Sequence, residues 1–273
     1  MQCCRTAFLS KMLYNLLNHK IIRGELIVAV SDFDLVRSFL FFLFAVPIFI
    51  FGIIILAKKG KDRRFIGLWL LAEAFIMGLS MIPTVMGILH IPVGLFATVM
   101  TVNNYVSAAL SVLSVILLFL HAKTCYGSKG LIAVVLFALV AYIVPVALTF
   151  LIRRTGIGEA EFIRLNYVSR VITDAFIIVC CIIIMIAFIR GRYKDPYSNK
   201  LFIIPLFMLI ANVLRFGINC IVAGYSNMNN LYSPGVNLVT IFADVVGLVF
   251  TLVSGIIVLA QRKKKLVQPQ VVE

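Results

Sequence analysis

A charged residue inside an apolar run is the first feature of this sequence that could do chemistry. The stretch IANVLRFGINCIV has Arg215 near its centre, with Asn212 three residues before it and Asn219 four residues after it. On an α-helix these spacings place the three polar side chains on one face. A charge at the centre of a membrane helix is costly, and such residues usually face the interior of a bundle and pair there. Arg215 is therefore the most informative residue of the chain.

Polar residues of other apolar runs are predicted at the same depth as Arg215. At 1.5 Å of rise per residue, Arg215 lies roughly 13 Å from the outer end of its run, and Asp244 lies roughly 12 Å into the next run. We therefore predict an Arg215–Asp244 ion pair. Side chains from four runs share this outer half and form the candidate ligand-binding site: Asn103, Asn104, Asp174, Asn212, Arg215, Asn219 and Asp244. The alternative is that these groups only form interhelical hydrogen bonds.

Three further patterns have helical spacing. Glu73 and Ser254 are predicted at a similar depth on the cytosolic side, where Glu73 is either a proton or cation site or a hydrogen-bonded structural acid. A polar stripe predicts either close packing or a polar pathway: Asn104, Ser107, Ser111 and Ser114. Small residues that repeat every four positions predict close helix packing: Gly247, Thr251 and Gly255.

The composition defines the elements that must position these residues. The chain has 273 residues, of which 62% are hydrophobic and 13% are charged, whereas soluble domains carry about 25% charged residues. It is therefore expected to be an integral membrane protein. Seven apolar runs are each long enough to cross a hydrocarbon core as a helix: residues 35–57, 66–89, 94–121, 131–152, 168–190, 201–224 and 236–260. The predicted fold class is an all-α membrane protein with a seven-transmembrane helix bundle.

The distribution of Lys and Arg predicts the orientation of the bundle. Fifteen of these residues lie on one side, in segments 58–65, 122–130 and 190–200 and after the last run. The predicted loops on the other side have four, all in loop 153–170: Arg153, Arg154, Arg164 and Arg170. The positive-inside rule therefore places the C-terminus in the cytosol and the N-terminus outside.

The bundle, residues 35–260, is predicted to be the only domain, flanked by a basic tail at residues 1–34 and a short basic cytosolic tail at residues 261–273. Residues 1–24 carry four basic residues and no acid. They are predicted to form an amphipathic surface helix, a mitochondrial targeting segment or an unordered tail. Four prolines inside the runs predict kinks or breaks: Pro47, Pro83, Pro145 and Pro205.

Several function classes are disfavoured by the sequence. It contains no nucleophile elbow, no Gly-rich phosphate loop and no HExxH motif, and His19, His90 and His121 fall at scattered depths. We therefore expect no enzyme activity, no cofactor and no metal site. The net charge of +14 comes mostly from residues that flank apolar runs, so it indicates topology rather than nucleic-acid binding.

The topology of residues 35–265 resembles the seven-transmembrane receptor superfamily. The motifs of its rhodopsin-like branch are absent: the third run ends in FLHAKTCY, and the last run has no Asn-Pro-x-x-Tyr. In microbial rhodopsins a lysine that binds retinal follows a helix-seven aspartate by four residues, but Leu248 follows Asp244 here.

The resemblance implies a receptor-like protein that binds a small molecule in the outer half of the bundle. Its expected location is the plasma membrane. The protein would signal to a cytosolic protein through the basic loops 58–65 and 190–200. Two alternatives stay open. One is a transporter or lipid-handling protein that uses Arg215, Asp244 and Asp174, and the other is a structural subunit of a membrane complex in a mitochondrial or other internal membrane.

Overall fold

Eight α-helices make up nearly all of the described chain. The computed structural model describes residues 32–58, 61–127, 129–154, 159–192, 201–224 and 234–260. The helices are α1 (Asp32–Ala57), α2 (Lys61–Leu79), α3 (Ile82–Ile88), α4 (Val93–Tyr126), α5 (Leu131–Arg154), α6 (Glu159–Arg192), α7 (Ile203–Gly224) and α8 (Pro234–Ala260). The predicted amphipathic helix in residues 1–24, most of loop 190–200 and the tail 261–273 lie outside the described residues.

The helices have the length and surface of a membrane bundle. Among the described residues, six segments are long and apolar enough to cross a membrane, and α5 contributes a shorter apolar stretch at Leu131–Pro145. Large apolar side chains cover the outer surface; Phe39, Ile132 and Phe242 each have more than 60% of their surface exposed. Water would disfavour so much exposed apolar surface, whereas lipid accommodates it. The chain is therefore an all-α, multi-pass membrane protein, as predicted.

Neighbouring helices pack in a closed ring. α1 packs against α2, α2 against α4, α4 against both α5 and α6, α6 against α7, and α7 against α8. The ring closes where α8 returns to α1. This arrangement brings the first, second, seventh and eighth helices together, and it leaves the inner faces of α2, α4, α7 and α8 to form the interior of the bundle.

The predicted second run, residues 66–89, is divided into two helices. α2 ends at Leu79, Ser80 and Met81 form a turn, and α3 begins at Ile82. Pro83 lies in the first turn of α3, where its missing N–H removes no helical hydrogen bond. Of the four prolines predicted to kink or break a run, Pro83 follows a break between helices. Pro47 and Pro145 lie inside continuous helices.

The segment 153–170, which was predicted as a loop, is largely helical. α6 begins at Glu159, nine residues before the predicted start at residue 168. Arg164 and Arg170 therefore belong to α6 rather than to a connecting loop. Hydropathy did not reveal this because the first turns of α6 are polar, and an apolar window detects only the lipid-facing part of a helix that extends beyond it.

Glycines allow α1 and α2 to cross closely. A Cβ atom added to Gly52 would lie 3.2 Å from the carbonyl oxygen of Gly67, and a Cβ atom added to Gly67 would lie 3.2 Å from the carbonyl oxygen of Gly52. The two backbones thus meet through these residues, as is common for small residues at membrane helix interfaces. In the predicted small-residue pattern of α8, Gly255 similarly faces the ring of Phe51. This close packing fixes α1 against both α2 and α8.

Candidate ligand-binding cavity

One buried carboxylate joins three helices. Asp244 of α8 is only 7% exposed. Its Oδ1 lies 3.4 Å from Nη2 of Arg215 on α7, which confirms the predicted ion pair. Its Oδ2 accepts a hydrogen bond of 2.8 Å from Nε of Arg37 on α1 and also lies 2.8 Å from Nη2 of that guanidinium. Asp244 therefore holds α1, α7 and α8 at one level, and Arg37 is its closer partner.

Sequence reasoning missed Arg37. It lies only two residues inside the predicted first run, and no role was predicted for it. The available signal was that Arg37 is the one basic residue between positions 35 and 57. Its guanidinium also lies 5.5 Å from the ring centroid of Phe41, one turn further along α1. This cation–π contact orients the side chain along α1.

Gly247 makes room for the guanidinium of Arg215. A Cβ atom added at Gly247 would lie 3.3 Å from Nη2 of Arg215. Gly247 follows Asp244 by three residues on α8, so the two positions lie on one face of that helix. The Arg215 side chain therefore passes over Gly247 to reach Asp244. The spacing of Gly247, Thr251 and Gly255 had suggested helix packing alone, but the first of these residues accommodates a charged side chain.

A second polar pair joins α6 and α7. The amide of Asn219 donates a hydrogen bond of 2.7 Å to Oδ2 of Asp174. Asp174 is 9% exposed, so this bond satisfies a carboxylate that is largely removed from water. Asn212, two turns earlier on α7, donates a 2.7 Å hydrogen bond to the carbonyl oxygen of Met208 and contacts Sγ of Cys181 at 3.9 Å. The three polar residues of α7 thus face the bundle, as their spacing predicted.

The two asparagines of α4 lie apart from this arrangement. Asn103 is buried at 7% exposure, and its Oδ1 has no hydrogen-bond donor among the described residues. Asn104 is exposed. Neither residue lines the cavity described below. Their predicted depth matched that of Arg215, but the rotation of α4 directs Asn104 away from the interior, so the expected continuous stripe from Asn104 to Ser114 reaches the bundle centre only at its Ser111–Ser114 end.

A cavity of about 150 Å³ lies inside the bundle. Of the seven predicted site residues, Asn212 and Arg215 line it. Its other polar lining comes from α2, α4, α5 and α8: Glu73, Ser111, Ser114, Tyr142, Thr251 and Ser254. Its apolar lining includes Trp69 and the stacked rings of Phe207 and Phe250, whose centroids are 4.3 Å apart. The cavity is therefore amphipathic and contains two groups of opposite formal charge, Arg215 and Glu73.

Glu73 belongs to this cavity rather than to a separate site. Ser114 of α4 donates a hydrogen bond to its carboxyl group. Ser254, which was considered as its partner, also lines the cavity but donates to the carbonyl oxygen of Phe250 at 2.7 Å. Trp69, one turn before Glu73 on α2, is 1% exposed, and its Nε1–H interacts with the Glu73 carboxyl group without a hydrogen bond of standard geometry.

Glu73 and Tyr142 are two of the polar lining residues that the predicted site omitted. Glu73 was assigned to the opposite half of the membrane from Arg215, since its depth was estimated from the cytosolic side. The structure places both residues on one cavity. A cavity near the middle of a bundle can be lined by residues whose depths were counted from opposite sides of the membrane. Tyr142 has a polar hydroxyl in the middle of an apolar run, which was the one signal that could have identified it.

The arrangement supports recognition of a small molecule. It combines buried apolar walls with a few convergent polar groups, which is the usual composition of ligand pockets. Among the described residues, no group of three or more His, Cys, Asp and Glu side chains is placed to hold a metal ion. In comparisons with known protein families, with curated proteins and with solved structures, nothing matches this chain. The function of this chain can therefore be inferred only from its own residues.

Proposed function

We propose that this chain is a seven-transmembrane, receptor-like membrane protein that binds a small molecule in the cavity at the centre of its bundle. The observation that carries the proposal is this amphipathic cavity, to which Arg215 on α7 and Glu73 on α2 both contribute. Two charged groups without a role in binding would be costly to keep inside a membrane bundle. A ligand that contacts both groups would offset that cost.

The proposed topology counts α2 and α3 as one span and α5 as a full span. α5 has 24 residues, which corresponds to roughly 36 Å of helix and exceeds the ~30 Å of a hydrocarbon core. The N-terminus would then lie outside and the C-terminus in the cytosol. Glycosylation acceptors introduced into segment 225–235 should be modified in cells, whereas acceptors after residue 262 should not. The reverse pattern would contradict this orientation.

Ligand binding would act on the cytosolic face through α7. Arg215 connects the cavity to Asp244, and Asp244 connects α7 and α8 to α1. A ligand that attracts the guanidinium would weaken its 3.4 Å contact with Asp244 and favour a different position of α7. Such a ligand shifts the population of bundle conformations, because it binds one of them better. The basic segments 58–65 and 190–200 would then present an altered surface to a cytosolic signalling protein. The proposed location is the plasma membrane.

A transporter is the second candidate, and one observation favours it. The turn at Ser80 and Met81 divides one membrane run into α2 and α3, and Met77, one turn before it, lines the cavity. Transporters commonly build substrate sites beside such discontinuous helices. In that case the cavity would open alternately to the two sides of the membrane.

A variant that fills the cavity tests the proposed binding function. Ala211 lines the cavity and is 6% exposed, so Ala211→Leu should occupy part of the space. Val213→Leu is the matched control, because Val213 on the same helix is 48% exposed. The purified full chain in lipid nanodiscs should be stabilised against heat by members of a library of small polar metabolites.

The expected stabilisation is lost in Ala211→Leu and retained in Val213→Leu. Equal stabilisation of all three proteins, or of none, would contradict binding in this cavity. Compounds that bind would then be tested in proteoliposomes. Uptake that depends on the protein supports the transporter, whereas binding without uptake supports the receptor.

A further inference from the structure

Arg215 is held in place but is not fully engaged by Asp244. Its single contact with that carboxylate measures 3.4 Å, which is long for a charge-assisted hydrogen bond of about 2.7–2.9 Å. Arg37 makes both short contacts with Asp244. A guanidinium has five N–H donors in a planar fork that suits a carboxylate. Arg215 therefore lies in the cavity wall with donors suited to a second carboxylate.

Glu73 is a second charged residue of the cavity lining, and it has acceptor capacity. A carboxylate offers about four lone-pair sites, and Ser114 supplies one hydrogen bond. The indole N–H of the adjacent Trp69 also interacts with this carboxyl group. An ammonium group beside Glu73 would meet its remaining acceptor sites.

The two formally charged groups of the cavity lining, Arg215 and Glu73, have opposite signs. Behind Arg215, the contacting pair of Arg37 and Asp244 also has opposite formal charges. A monoanion or a monocation would leave an uncompensated charge in a region of low dielectric, whereas a zwitterion keeps the sum at zero. Its carboxylate would replace the long contact of Arg215, and its ammonium would take the open side of Glu73.

The size of the cavity limits the zwitterion. A cavity of about 150 Å³ has the volume of one known in another protein to hold benzene. A ligand of roughly six to ten non-hydrogen atoms therefore fits. The apolar wall formed by Phe207, Phe250 and Leu248 suits a short aliphatic side chain.

We propose that the cavity binds a small aliphatic α-amino acid, with its carboxylate on Arg215 and its ammonium on Glu73. This inference rests on the proposed function, which it makes specific by naming the ligand class. α-Amino acids carry the two charged groups on one carbon, so the ligand would bridge α7 and α2. It would also draw Arg215 away from Asp244 and so couple binding to the contacts of α7 with α8.

Three probes of matched shape test the proposal on the unmodified full chain in nanodiscs by calorimetric titration. They are L-leucine, isocaproate, which lacks the amino group, and isoamylamine, which lacks the carboxylate. Leucine should bind at least about thirtyfold more tightly than either analogue, because each analogue leaves one charged group of the cavity without its partner. Equal affinity for leucine and isocaproate, or for leucine and isoamylamine, would overturn the assignment of one charged end.

Charge-specific variants assign each end of the ligand. Arg215→Gln should reduce leucine affinity to about that of isoamylamine, and Glu73→Gln should reduce it to about that of isocaproate. Asn104→Gln, at an exposed position outside the cavity, should leave affinity unchanged. Leucine affinity that is insensitive to both charge variants would overturn the proposal, even if the variants fold.

The outcomes separate this inference from the proposed function. If leucine fails to bind but library compounds stabilise the protein in a manner that Ala211→Leu blocks, the amino-acid assignment is wrong and the binding function stands. If no compound binds and Ala211→Leu has no effect, both are wrong. Gly247→Ala offers an independent variant, since its Cβ would press on Arg215 at 3.3 Å without changing any charge. It should weaken leucine and isocaproate but not isoamylamine, and equal weakening of all three would contradict the proposed geometry.

Discussion

Replacing each arginine that contacts Asp244 should reveal two unequal interactions. Arg37 makes two contacts of 2.8 Å to the carboxylate, one of them a hydrogen bond from Nε, whereas Arg215 makes one contact of 3.4 Å. Hydrogen bonds to charged groups contribute about 1.5–3 kcal/mol, and partly exposed ion pairs about 0.2–1 kcal/mol. Both arginine side chains are partly exposed, at 45% and 41%. We therefore expect a coupling energy of about 1.5–3 kcal/mol for Arg37–Asp244 and below about 1 kcal/mol for Arg215–Asp244.

Double-mutant cycles measure these couplings. The variants Arg37→Leu, Arg215→Leu and Asp244→Leu would be combined in pairs, and unfolding free energies would be measured in mixed micelles titrated with denaturing detergent. Arg215→Leu alone should be mild, because Arg37 still neutralises Asp244. Asp244→Leu should cost about 3–5 kcal/mol, because it leaves two guanidinium groups without their carboxylate. Asp174→Asn combined with Arg37→Leu serves as the control and should be additive, since Asp174 bonds to Asn219 instead.

The relative size of the two coupling energies shows which arginine is the structural partner of Asp244. If Arg215 couples to Asp244 more strongly than Arg37 does, then Arg215 is committed to the structural cluster and is not available to a ligand. Strictly additive losses for Arg37 and Asp244 would show that the 2.8 Å contacts contribute nothing to stability. Either result would be inconsistent with Arg37 as the structural partner of Asp244 and Arg215 as the ligand-binding arginine.

Two further predictions concern packing and a buried carboxylate. Gly52→Ala should destabilise the bundle by about 1–3 kcal/mol, because the added Cβ would lie 3.2 Å from the α2 backbone and overpacking has costs of this size. Gly78→Ala is the control: its added Cβ would have nothing within 4 Å, so it should be neutral or stabilising. Equal effects in detergent unfolding would contradict the close crossing. Asn219→Ala should cost about 1–3 kcal/mol, because it removes the amide that bonds to buried Asp174. Asn104→Ala should stay within about 0.5 kcal/mol, and a loss as small as this for Asn219→Ala would mean that Asp174 has another adequate donor.

The helices themselves could be predicted because lipid imposes a simple rule. A continuous apolar run of sufficient length has to form a helix, so the core of every predicted run is helical in the structure. The ends were less predictable, since polar turns outside the hydrocarbon region carry no hydropathy signal. The start of α6 at Glu159 and the turn after Leu79 are the clearest examples.

The pairing of Arg215 with Asp244 could be predicted because it depends on depth alone. Depth follows from the number of residues between a side chain and the end of its run. The remaining site could not be predicted in the same way, because it depends on how each helix is rotated about its axis. Rotation exposes Asn104 and directs Glu73 and Tyr142 into the cavity, and a single sequence of nearly uniform hydrophobicity contains little information about it.

The presence of Arg37 in the cluster reflects a third kind of information, namely which helices are neighbours. α1 and α8 are far apart in the sequence, and their contact closes the ring. A closed ring of helices implies such a contact in general, but not the level at which the two helices meet. At Gly255, the absence of a side chain makes room for the ring of Phe51 and so allows α1 to approach α8 closely.

The fluorescence of Trp69 can show directly whether the cavity binds a small zwitterion. Trp69 is the one tryptophan in the sequence and it lines the cavity, so its emission reports on that site without any label. Addition of L-leucine to the full chain in nanodiscs should produce a saturable change in emission, which Glu73→Gln and Arg215→Gln each weaken by at least about thirtyfold in concentration dependence. Emission that stays constant up to saturating leucine would show that the cavity does not bind leucine. A change that persists unaltered in both variants would show that leucine does not bind through Glu73 and Arg215.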